Sequence, residues 1–278
     1  MVGGDGPSAD VRAALAPLLV RPASTAILTD FDGTLSPIVT DPDEARPLEG
    51  VAGVVASLAS QFGEVAVISG RSVAFLEEHL AVPVAPNEDQ RLRLVGLYGL
   101  EQSWGDGRIV VEPAAVAWRQ VVDATVARLQ RDAPRGVLVE PKGLAVTVHW
   151  RRSPESEGWA TTAVAAEAER SGLFAHPGRM SIELRPPLDV DKGTVVRRLA
   201  AAASAACYFG DDLGDLPAFS ALRALAAGGG VDTVAVAVVD EESDHRVAAA
   251  ADVVLSGPGQ ALEVLAWLSR SAAGVSGA

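Results

Sequence analysis

Residues 26–35 read Ala-Ile-Leu-Thr-Asp-Phe-Asp-Gly-Thr-Leu, so an apolar run leads directly into two carboxylates, Asp30 and Asp32, and then a glycine. In an extended segment successive side chains point to opposite faces, so the two carboxylates can lie on the same side. Gly33 allows a sharp turn after them. Paired like charges are costly in a crevice unless a cation or a proton compensates them. The stretch therefore predicts a reactive site at the end of a strand, with a plain acidic turn as the alternative.

Similar apolar runs recur along the chain, with helix-like segments between them. The predicted strands are Ala26–Thr29, Val65–Ile68, Leu94–Tyr98, Ala206–Phe209, Val234–Val239 and Val253–Leu255. The predicted helices, rich in Ala and Leu, are Leu48–Phe62, Lys192–Ala203, Leu216–Ala224 and Gln260–Leu268. Near-continuous apolar strands are typical of a parallel sheet that is covered on both faces. The pattern predicts an α/β fold with a doubly wound, mostly parallel sheet.

The pattern changes between Trp104 and Pro186. Short strands are predicted at Arg108–Val111, Val137–Val139, Leu144–Trp150 and Ser181–Leu184, and helices at Ala114–Arg131 and Glu155–Ser171. Hairpin-like strands with two helices predict a compact α+β unit inserted into the host sheet. We therefore expect a core domain of residues 1–103 and 187–278 and an inserted domain of residues 104–186. The breaker sequences Gly105–Gly107 and Pro186–Pro187 are the predicted hinges.

The composition and net charge of the chain exclude some classes of partner. The chain has 278 residues, 49% of them hydrophobic, and a formal net charge of −13 at pH 7. The apolar fraction supports a large packed core. The negative charge argues against nucleic acid or an anionic membrane surface as the main partner, because both would be repelled. An anionic substrate would need a local cationic pocket or a metal ion.

The cysteine count and the terminus indicate a compartment. The single cysteine, Cys207, excludes an internal disulfide framework, and its apolar surroundings predict a buried thiol in a reducing compartment. No stretch approaches the length of an apolar membrane span, and the first ten residues lack the features of a signal peptide. We expect a cytoplasmic protein. The tryptophans are compatible with either a domain core or an interface, so no oligomeric state is predicted.

A second acidic cluster follows another apolar run. Gly210-Asp211-Asp212-Leu213-Gly214-Asp215 comes directly after Cys207–Phe209. The carboxyl ends of parallel strands share one crevice, so Asp30, Asp32 and Asp211 are expected to meet there. Hard carboxylate oxygens suit Mg²⁺, with Mn²⁺ as an alternative. A zinc site is disfavoured because the four histidines are widely scattered along the chain.

Two short elements between the acidic clusters suit phosphate chemistry. Ser69 follows a predicted strand, and Lys192 opens a predicted helix. Either residue alone is more typical of an ordinary helix terminus. Together with the acidic clusters they indicate a phosphoryl site, in which Ser69 donates a hydrogen bond and Lys192 neutralises charge.

The order Asp-x-Asp-Gly-Thr, Ser, Lys and Gly-Asp-Asp-x-x-Asp resembles the haloacid dehalogenase superfamily of phosphatases, over the whole sheet domain. Longer stretches are similar to the trehalose-6-phosphate phosphatases within it: Thr29–Ile38, Ile68–Arg71, Gly96–Glu101, and Gly210–Asp212 with Pro217–Phe219. The resemblance implies a haloacid dehalogenase-like core with an α+β cap domain that holds the sugar. It also implies Mg²⁺-dependent hydrolysis of a sugar phosphate as the activity.

The resemblance also implies roles for the core residues. Asp30 would attack phosphorus and form an aspartyl-phosphate, and Asp32 would act as general acid and then general base. Asp30, the backbone carbonyl of Asp32 and Asp211 would bind the metal, with Asp212 and Asp215 supporting these ligands or orienting Lys192. Ser69 and Lys192 would hold the phosphoryl group. Thr34, Gly70 and Arg71 are expected beside the substrate.

The expected sugar contacts come from the inserted domain, in segments similar to the cap of that family. They are Glu140, Lys142, His149, Arg151, Gly178, Arg179 and Glu183. Acidic and basic side chains in alternation can hydrogen-bond the many hydroxyls of a disaccharide. Closure of the cap over the sheet is expected to exclude water.

One departure from the family leaves the substrate open. Members commonly carry a threonine and an acidic residue at the positions of Gly214 and Leu216. The metal-binding acids are unaffected, so the reaction class stands. The alternatives are a phosphatase of the same mechanism for another sugar or pseudo-disaccharide phosphate, and a catalytically silent regulatory domain. A nucleotide-binding module is disfavoured because the chain has no glycine-rich nucleotide fingerprint.

Overall fold

The computed structural model describes residues 6–39, 44–80, 92–104, 107–178, 180–241 and 243–276. Two compact units result, Met1–Ile109 with Val190–Ala278, and Val110–Asp189. The boundaries between the two units lie between residues 109 and 110 and between residues 189 and 190.

The first unit is built on a twisted sheet. Its strands are β1 (Thr25–Thr29), β2 (Glu64–Ile68), β3 (Leu92–Gly96), β4 (Glu101–Ser103), β10 (Ala205–Gly210), β11 (Asp232–Val239) and β12 (Val253–Ser256). The order across this eight-stranded sheet is β12-β11-β10-β1-β2-β3-β4-β5, where β5 is the short strand Val110–Val111. From β12 to β3 all neighbours pair in parallel, and β3 and β4 pair antiparallel. The predicted doubly wound, mostly parallel sheet is confirmed.

Helices cover both faces of this sheet. They are α1 (Ala9–Leu15), α2 (Val51–Ala59), α3 (Val73–Leu80), α7 (Lys192–Ala200), α8 (Leu216–Ala227), α9 (His245–Ala249) and α10 (Gly257–Ser276). Alternate residues of each strand feed opposite cores. In β1, Ile27 packs into the core with α2, α3 and α10, whereas Leu28 packs into the core with α7 and α8. Burial on both faces explains why the strands are apolar throughout.

The topology brings the sequence motifs to one edge. Strands β2, β1 and β10 are consecutive neighbours and run in the same direction. Asp30 follows the end of β1, Ser69 follows β2, and Asp211 follows β10. The three side chains therefore belong to the carboxyl edge of the sheet, where parallel α/β folds bind ligands.

The second unit is a four-stranded antiparallel sheet with helices. Its strands are β6 (Leu138–Pro141), β7 (Val146–His149), β8 (Phe174–Gly178) and β9 (Ser181–Arg185), and its helices are α4 (Pro113–Val116), α5 (Arg119–Asp132) and α6 (Glu157–Ser171). The sheet order is β6-β7-β9-β8. Its apolar face, including Val146, Val148 and Leu184, packs with Val122 of α5 and Val164 of α6. The opposite face is left for polar side chains.

Several elements differ from the sequence-based expectation. Strand β3 ends at Gly96 rather than at Tyr98, because Leu97 and Tyr98 adopt positive φ angles of 49° and 60°. Their amide groups donate to Arg71 and Ser69 carbonyls, which replaces the sheet ladder. The helix predicted over 114–131 is two helices, α4 and α5. Elements α1, α3, α9, β4 and β8 were not predicted; β8 contains Pro177, which an edge strand tolerates.

Two expectations about single features are also answered. Cys207 is buried in β10, and burial raises the pKa of its thiol to about 12, so it is not a nucleophile. Among the described residues, no helix combines the length and apolar character that a membrane crossing requires.

A substitution of Phe62 tests the assignment of the core that packs on the sheet. Its side chain is fully buried against α2 and β2, so Phe62→Ala removes packing and leaves a cavity. We expect it to lower the free energy of unfolding by about 3–5 kcal/mol, measured by urea denaturation. Val20 is 71% exposed, and Val20→Ala is the control that should change stability little. Equal effects of the two substitutions would contradict the assigned core.

Candidate active site

The loop after β1 is fixed by its own backbone and by Phe31. The Asp30 amide donates to the Phe209 carbonyl at 2.8 Å, which ties the loop to β10. The Gly33 amide donates to Ser36 at 2.7 Å, and the Leu35 amide donates to Phe31 at 2.8 Å. The Phe31 ring is fully buried. Because Phe31 points into the core, Asp30 and Asp32 lie on the other side of the chain.

Gly33 is required on two grounds. Its φ angle of 73° lies in the left-handed region that disfavours a side chain. A Cβ atom there would also collide with the Asp211 carboxylate. The first acidic loop and the second are therefore in van der Waals contact only because residue 33 has no side chain.

Lys192 joins the two acidic loops. Its Nζ lies 2.9 Å from Asp30 Oδ1 and 2.6 Å from Asp215 Oδ1, and all three side chains are buried. Burial alone would lower the pKa of Lys192, but Asp215 and Asp30 raise it well above its ordinary value. Helix α7 begins at Lys192 because Asp191 caps it, accepting from the Thr194 amide at 2.7 Å. The capped helix thus delivers a permanent positive charge to Asp30.

Asp215 organises the site. Its Oδ1 accepts from Lys192 and from the Tyr208 hydroxyl, each at 2.6 Å. Its Oδ2 accepts from the amides of Asp211 at 2.9 Å and Asp212 at 3.2 Å. Asp215 has no solvent exposure, so these four donors are its environment. The predicted supporting role suits this geometry, since the carboxylate fixes both Lys192 and the second acidic loop.

Buried negative charge gathers around Asp30. Oxygen atoms of Asp30, Asp211 and Asp215 all lie within 4.8 Å of one another. Burial raises the pKa of Asp30 to about 8, against the opposing effect of Lys192, and Asp215 raises it further. The pKa of Asp211 is also raised well above its ordinary value, by burial and by Asp30. A cation bound here would relieve the repulsion and keep the carboxylates ionised.

A second loop lies beside this cluster. Ser69 is buried after β2, and its Oγ accepts from the Arg71 amide at 3.1 Å. A Cβ on Gly70 would lie 2.5 Å from the Tyr98 hydroxyl, so the glycine lets that hydroxyl approach the loop. Thr34 is buried, and its hydroxyl lies 3.5 Å from Asp211 Oδ1. Thr34 thus braces the acidic cluster.

Arg71 contacts Asp32 directly. Its Nε and Nη2 lie 2.8 Å from Asp32 Oδ2 and Oδ1. We expected Arg71 beside the substrate, and its pairing with Asp32 was not foreseen. The sequence Ser69-Gly70-Arg71 gave no signal for a contact with a residue 39 positions away in the chain.

The second unit carries a polar row across its sheet. Strand register aligns Glu140 with Thr147, Thr147 with Glu183, and Glu183 with His176. The row lies on the face opposite the apolar core, because its members alternate with buried valines and Leu184. His149 lies two residues after Thr147 and shares this face.

Charges in this row pair with one another. Lys142 donates to Glu183 at 3.0 Å, as does the Thr147 hydroxyl at 3.1 Å. His149 Nε2 lies 2.8 Å from Glu140 Oε2. Arg185 lies 3.0 Å from the second Glu183 oxygen. Burial would raise the pKa of Glu183, but Lys142 and Arg185 lower it overall, so the carboxylate stays ionised.

The expected sugar contacts divide into three groups. Glu140, Lys142, His149 and Glu183 lie together in the polar row. Arg151 lies in the turn after β7 and makes no ion pair with the described residues, and Gly178 is an exposed residue that ends β8. Arg179 lies outside the described residues, as do Gly105 and Asp106 of the predicted hinge.

Sequence reasoning missed three members of these clusters. Thr147 and Arg185 flank Glu183, and Tyr208 binds Asp215. Period-two alternation of Val146, Thr147, Val148 and His149 was the available signal for Thr147. Tyr208 looked like one more core residue, since only its hydroxyl is polar.

The two lysines of the sequence lie in the acidic cluster around Asp30 and in the polar row of the second unit. The chain has 23 basic residues, of which two are lysines, Lys142 and Lys192, so 21 are arginines. One lysine lies in each cluster, and each pairs with a buried carboxylate. A composition that uses arginine almost everywhere thus keeps lysine at these two places.

Comparisons with known proteins identify the family of the chain. A family model described as trehalose-phosphatase matches residues 28–253. A trehalose-phosphate phosphatase of Mycobacterium avium is 36% identical over 248 residues, which is 86% of this chain and 60% of that protein. One from Mycobacterium marinum is 35% identical over 236 residues, 81% of this chain and 56% of that protein. The chain spans about 60% of the length of such relatives.

A solved structure supports the same assignment. The C-terminal domain of trehalose-6-phosphate phosphatase from C. albicans is 25% identical, with a TM-score of 0.73 over 95% of this chain and 98% of that one. The matched region of the family model includes both acidic loops, Ser69, Lys192 and the polar row of the second unit. The chain belongs to the trehalose-phosphatase family.

Proposed function

We propose that this protein is a Mg²⁺-dependent phosphatase that hydrolyses trehalose 6-phosphate to trehalose and phosphate through an aspartyl-phosphate on Asp30. The observation that carries the proposal is the contact between Asp30 and Lys192 at the carboxyl edge of the sheet. A buried carboxylate beside a buried ammonium is a nucleophile held close to an electrophilic phosphoryl site. Family membership supports the choice of substrate.

The reaction proceeds by two displacements at phosphorus. An Asp30 oxygen forms a bond to phosphorus while the bond to the sugar oxygen breaks, and Asp32 gives that oxygen a proton. Asp32 then takes a proton from water, which attacks phosphorus and breaks the bond to Asp30. Phosphate leaves and both carboxylates return to their starting state. Asp32 suits this role because its side chain is 30% exposed, whereas Asp30 is buried.

Lys192 and Ser69 hold the transferring phosphoryl group. Lys192 already lies 2.9 Å from the attacking carboxylate, so its charge offsets negative charge on both partners. Ser69 has a hydroxyl proton to donate, because its oxygen acts as acceptor from the Arg71 amide. Asp215 keeps Lys192 in place.

The donor set fits a divalent cation with hard oxygen ligands. Asp30, Asp211 and the backbone carbonyl of Asp32 would hold Mg²⁺ or Mn²⁺, with Asp212 and Asp215 supporting them. When bound, the ion supplies charge neutralisation for the phosphoryl oxygens. The raised pKa of Asp30 supports the fit, because burial and the acidic neighbours of this carboxylate together outweigh the effect of Lys192.

The polar row of the second unit is the proposed sugar-binding surface. Glu140, Lys142, His149 and Glu183 present both donors and acceptors, as a polyhydroxylated ligand requires. Arg151, Gly178 and Arg179 are proposed to extend it. Another sugar or pseudo-disaccharide phosphate would change the contacts on this surface and leave the chemistry at Asp30 intact.

Asp30→Asn tests the nucleophile. We expect phosphate release from trehalose 6-phosphate to fall by at least about a thousandfold, because the amide cannot attack phosphorus. Asp10→Asn, an exposed aspartate in α1, is the matched control and should keep full activity. Sucrose 6-phosphate and glucose 6-phosphate complete the panel. Retained turnover in Asp30→Asn would overturn the mechanism, whereas preference for another ester would change only the substrate.

The charge on Asp30 predicts a stability change with pH. The folded-state pKa of about 8 lies above the ordinary value of 3.8, so the folded state favours the protonated form. Without a divalent cation, the contribution of Asp30 to the free energy of unfolding should fall as pH rises from about 4 to 8. Asp30→Asn should therefore have a higher Tm than the wild type in EDTA, with a difference that grows between pH 5 and pH 8. Added Mg²⁺ should raise the Tm of the wild type and reduce the difference. A wild type that is the more stable protein at pH 8 in EDTA would contradict this account.

Lys142→Met tests the sugar-binding surface. Loss of a charge-assisted contact should raise KM for trehalose 6-phosphate about tenfold or more, with little change for p-nitrophenyl phosphate, which has no sugar. Arg135→Met, an exposed change in the same unit, is the control. Equal KM values for wild type and Lys142→Met would remove Lys142 from the surface.

A further inference from the structure

Arg71 and Asp32 form a forked ion pair at the edge of the site. Two guanidinium nitrogens, Nε and Nη2, each lie 2.8 Å from a different oxygen of Asp32. Two parallel hydrogen bonds fix the plane of a carboxylate, which one bond does not. The pair is partly buried, with side-chain exposures of 12% for Arg71 and 30% for Asp32. One side of Asp32 therefore stays accessible to a ligand.

Stacked rings pack against the guanidinium of Arg71. Its guanidinium carbon lies 4.5 Å from the centre of the Phe75 ring, and that ring stacks on His79 at 4.0 Å. Phe31, which separates the two aspartates of the first loop, meets Phe75 edge to face at 5.9 Å. The same aromatic cluster thus supports both the acidic loop and the arginine that grips it.

The Arg71 backbone is anchored as well. Its amide donates to Ser69 Oγ at 3.1 Å, and its carbonyl accepts from the Leu97 amide at 2.9 Å. Leu97 and Tyr98 have positive φ angles, which place these amides toward the loop. Main chain and side chain of Arg71 are therefore both fixed before any substrate arrives.

We propose that Arg71 is the positioning residue for Asp32, and that it acts on catalysis through Asp32 rather than by binding the substrate. The inference rests on the proposed function. A general acid has to face the leaving oxygen at hydrogen-bond distance. Asp32 lies on a turn and is partly exposed, so its carboxylate needs a partner that fixes its rotation. Each Asp32 oxygen keeps a second lone pair for a proton while the fork is made.

The test is a double-substitution cycle with two substrates. Arg71→Gln, Asp32→Asn and the combination are compared with the wild type by kcat/KM, which reports the steps up to departure of the leaving group. Trehalose 6-phosphate has a poor leaving group that needs a proton, whereas the nitrophenolate of p-nitrophenyl phosphate leaves without one. For the sugar ester, Arg71→Gln should lower kcat/KM by about 10- to 100-fold, because a general acid that is out of position lowers the rate by a factor of this order. For the aryl ester it should lower kcat/KM less than about threefold.

The combined variant decides between positioning and binding. If Arg71 acts through Asp32, the combination should be no slower on the sugar ester than Asp32→Asn alone. Multiplied effects of the two substitutions would overturn the inference, as would equal losses on both esters. A wild type that hydrolyses neither ester overturns the proposed function and the inference with it. Additivity in an active wild type overturns the inference alone.

The chain offers a matched control and a graded variant. Arg93 makes the same kind of fork to Glu64, at 3.0 and 3.2 Å, over the Trp104 ring at 4.8 Å, but at the opposite edge of the sheet. Arg93→Gln should leave kcat/KM unchanged for both esters. Arg71→Lys keeps the charge without the fork and should recover only part of the loss on the sugar ester. Full recovery would show that charge suffices and would contradict the positioning role.

Discussion

The buried ion triad of Asp30, Lys192 and Asp215 is the interaction on which the site depends. Lys192 Nζ lies within 3 Å of both carboxylates, so it joins the ends of β1 and β10 to the start of α7. Taking these charges out of water is expensive, and each therefore needs its partners. Asp215 is held by four donors, and Gly33 and Gly210 leave space for the carboxylates. Removing Lys192 or Asp215 would leave uncompensated charge in the interior.

The second unit also contains a buried carboxylate whose charge is compensated by its neighbours. Glu183 is buried between Lys142, Thr147 and Arg185, so its charge is compensated within one sheet face. The two clusters differ in the balance of positive and negative charge. The first cluster has more negative charge than Lys192 offsets, which favours a cation, whereas the polar row has matched charges that a neutral polyol can bridge.

The sequence predicted where the site residues lie on the sheet better than it predicted the contacts between them. Near-continuous apolar strands indicate a parallel sheet, so Asp30, Asp32 and Asp211, which follow such strands, were expected to meet at its carboxyl edge. Contacts such as Arg71 with Asp32 depend on loop conformation, here on the positive φ angles of Leu97 and Tyr98. No pattern encodes them, since neither residue is a glycine. Strand β8 escaped prediction because Pro177 and the absence of alternation hide an edge strand.

The central claim is that phosphorus changes partner twice, first to Asp30 and then to water. Its most direct test is the stereochemical course of hydrolysis, measured with a substrate whose phosphorus is made chiral by oxygen isotopes and sulfur. Each in-line displacement inverts phosphorus. Two displacements predict overall retention, without any need for the aspartyl-phosphate to accumulate. Overall inversion would mean a single attack by water and would contradict the role of Asp30 as nucleophile.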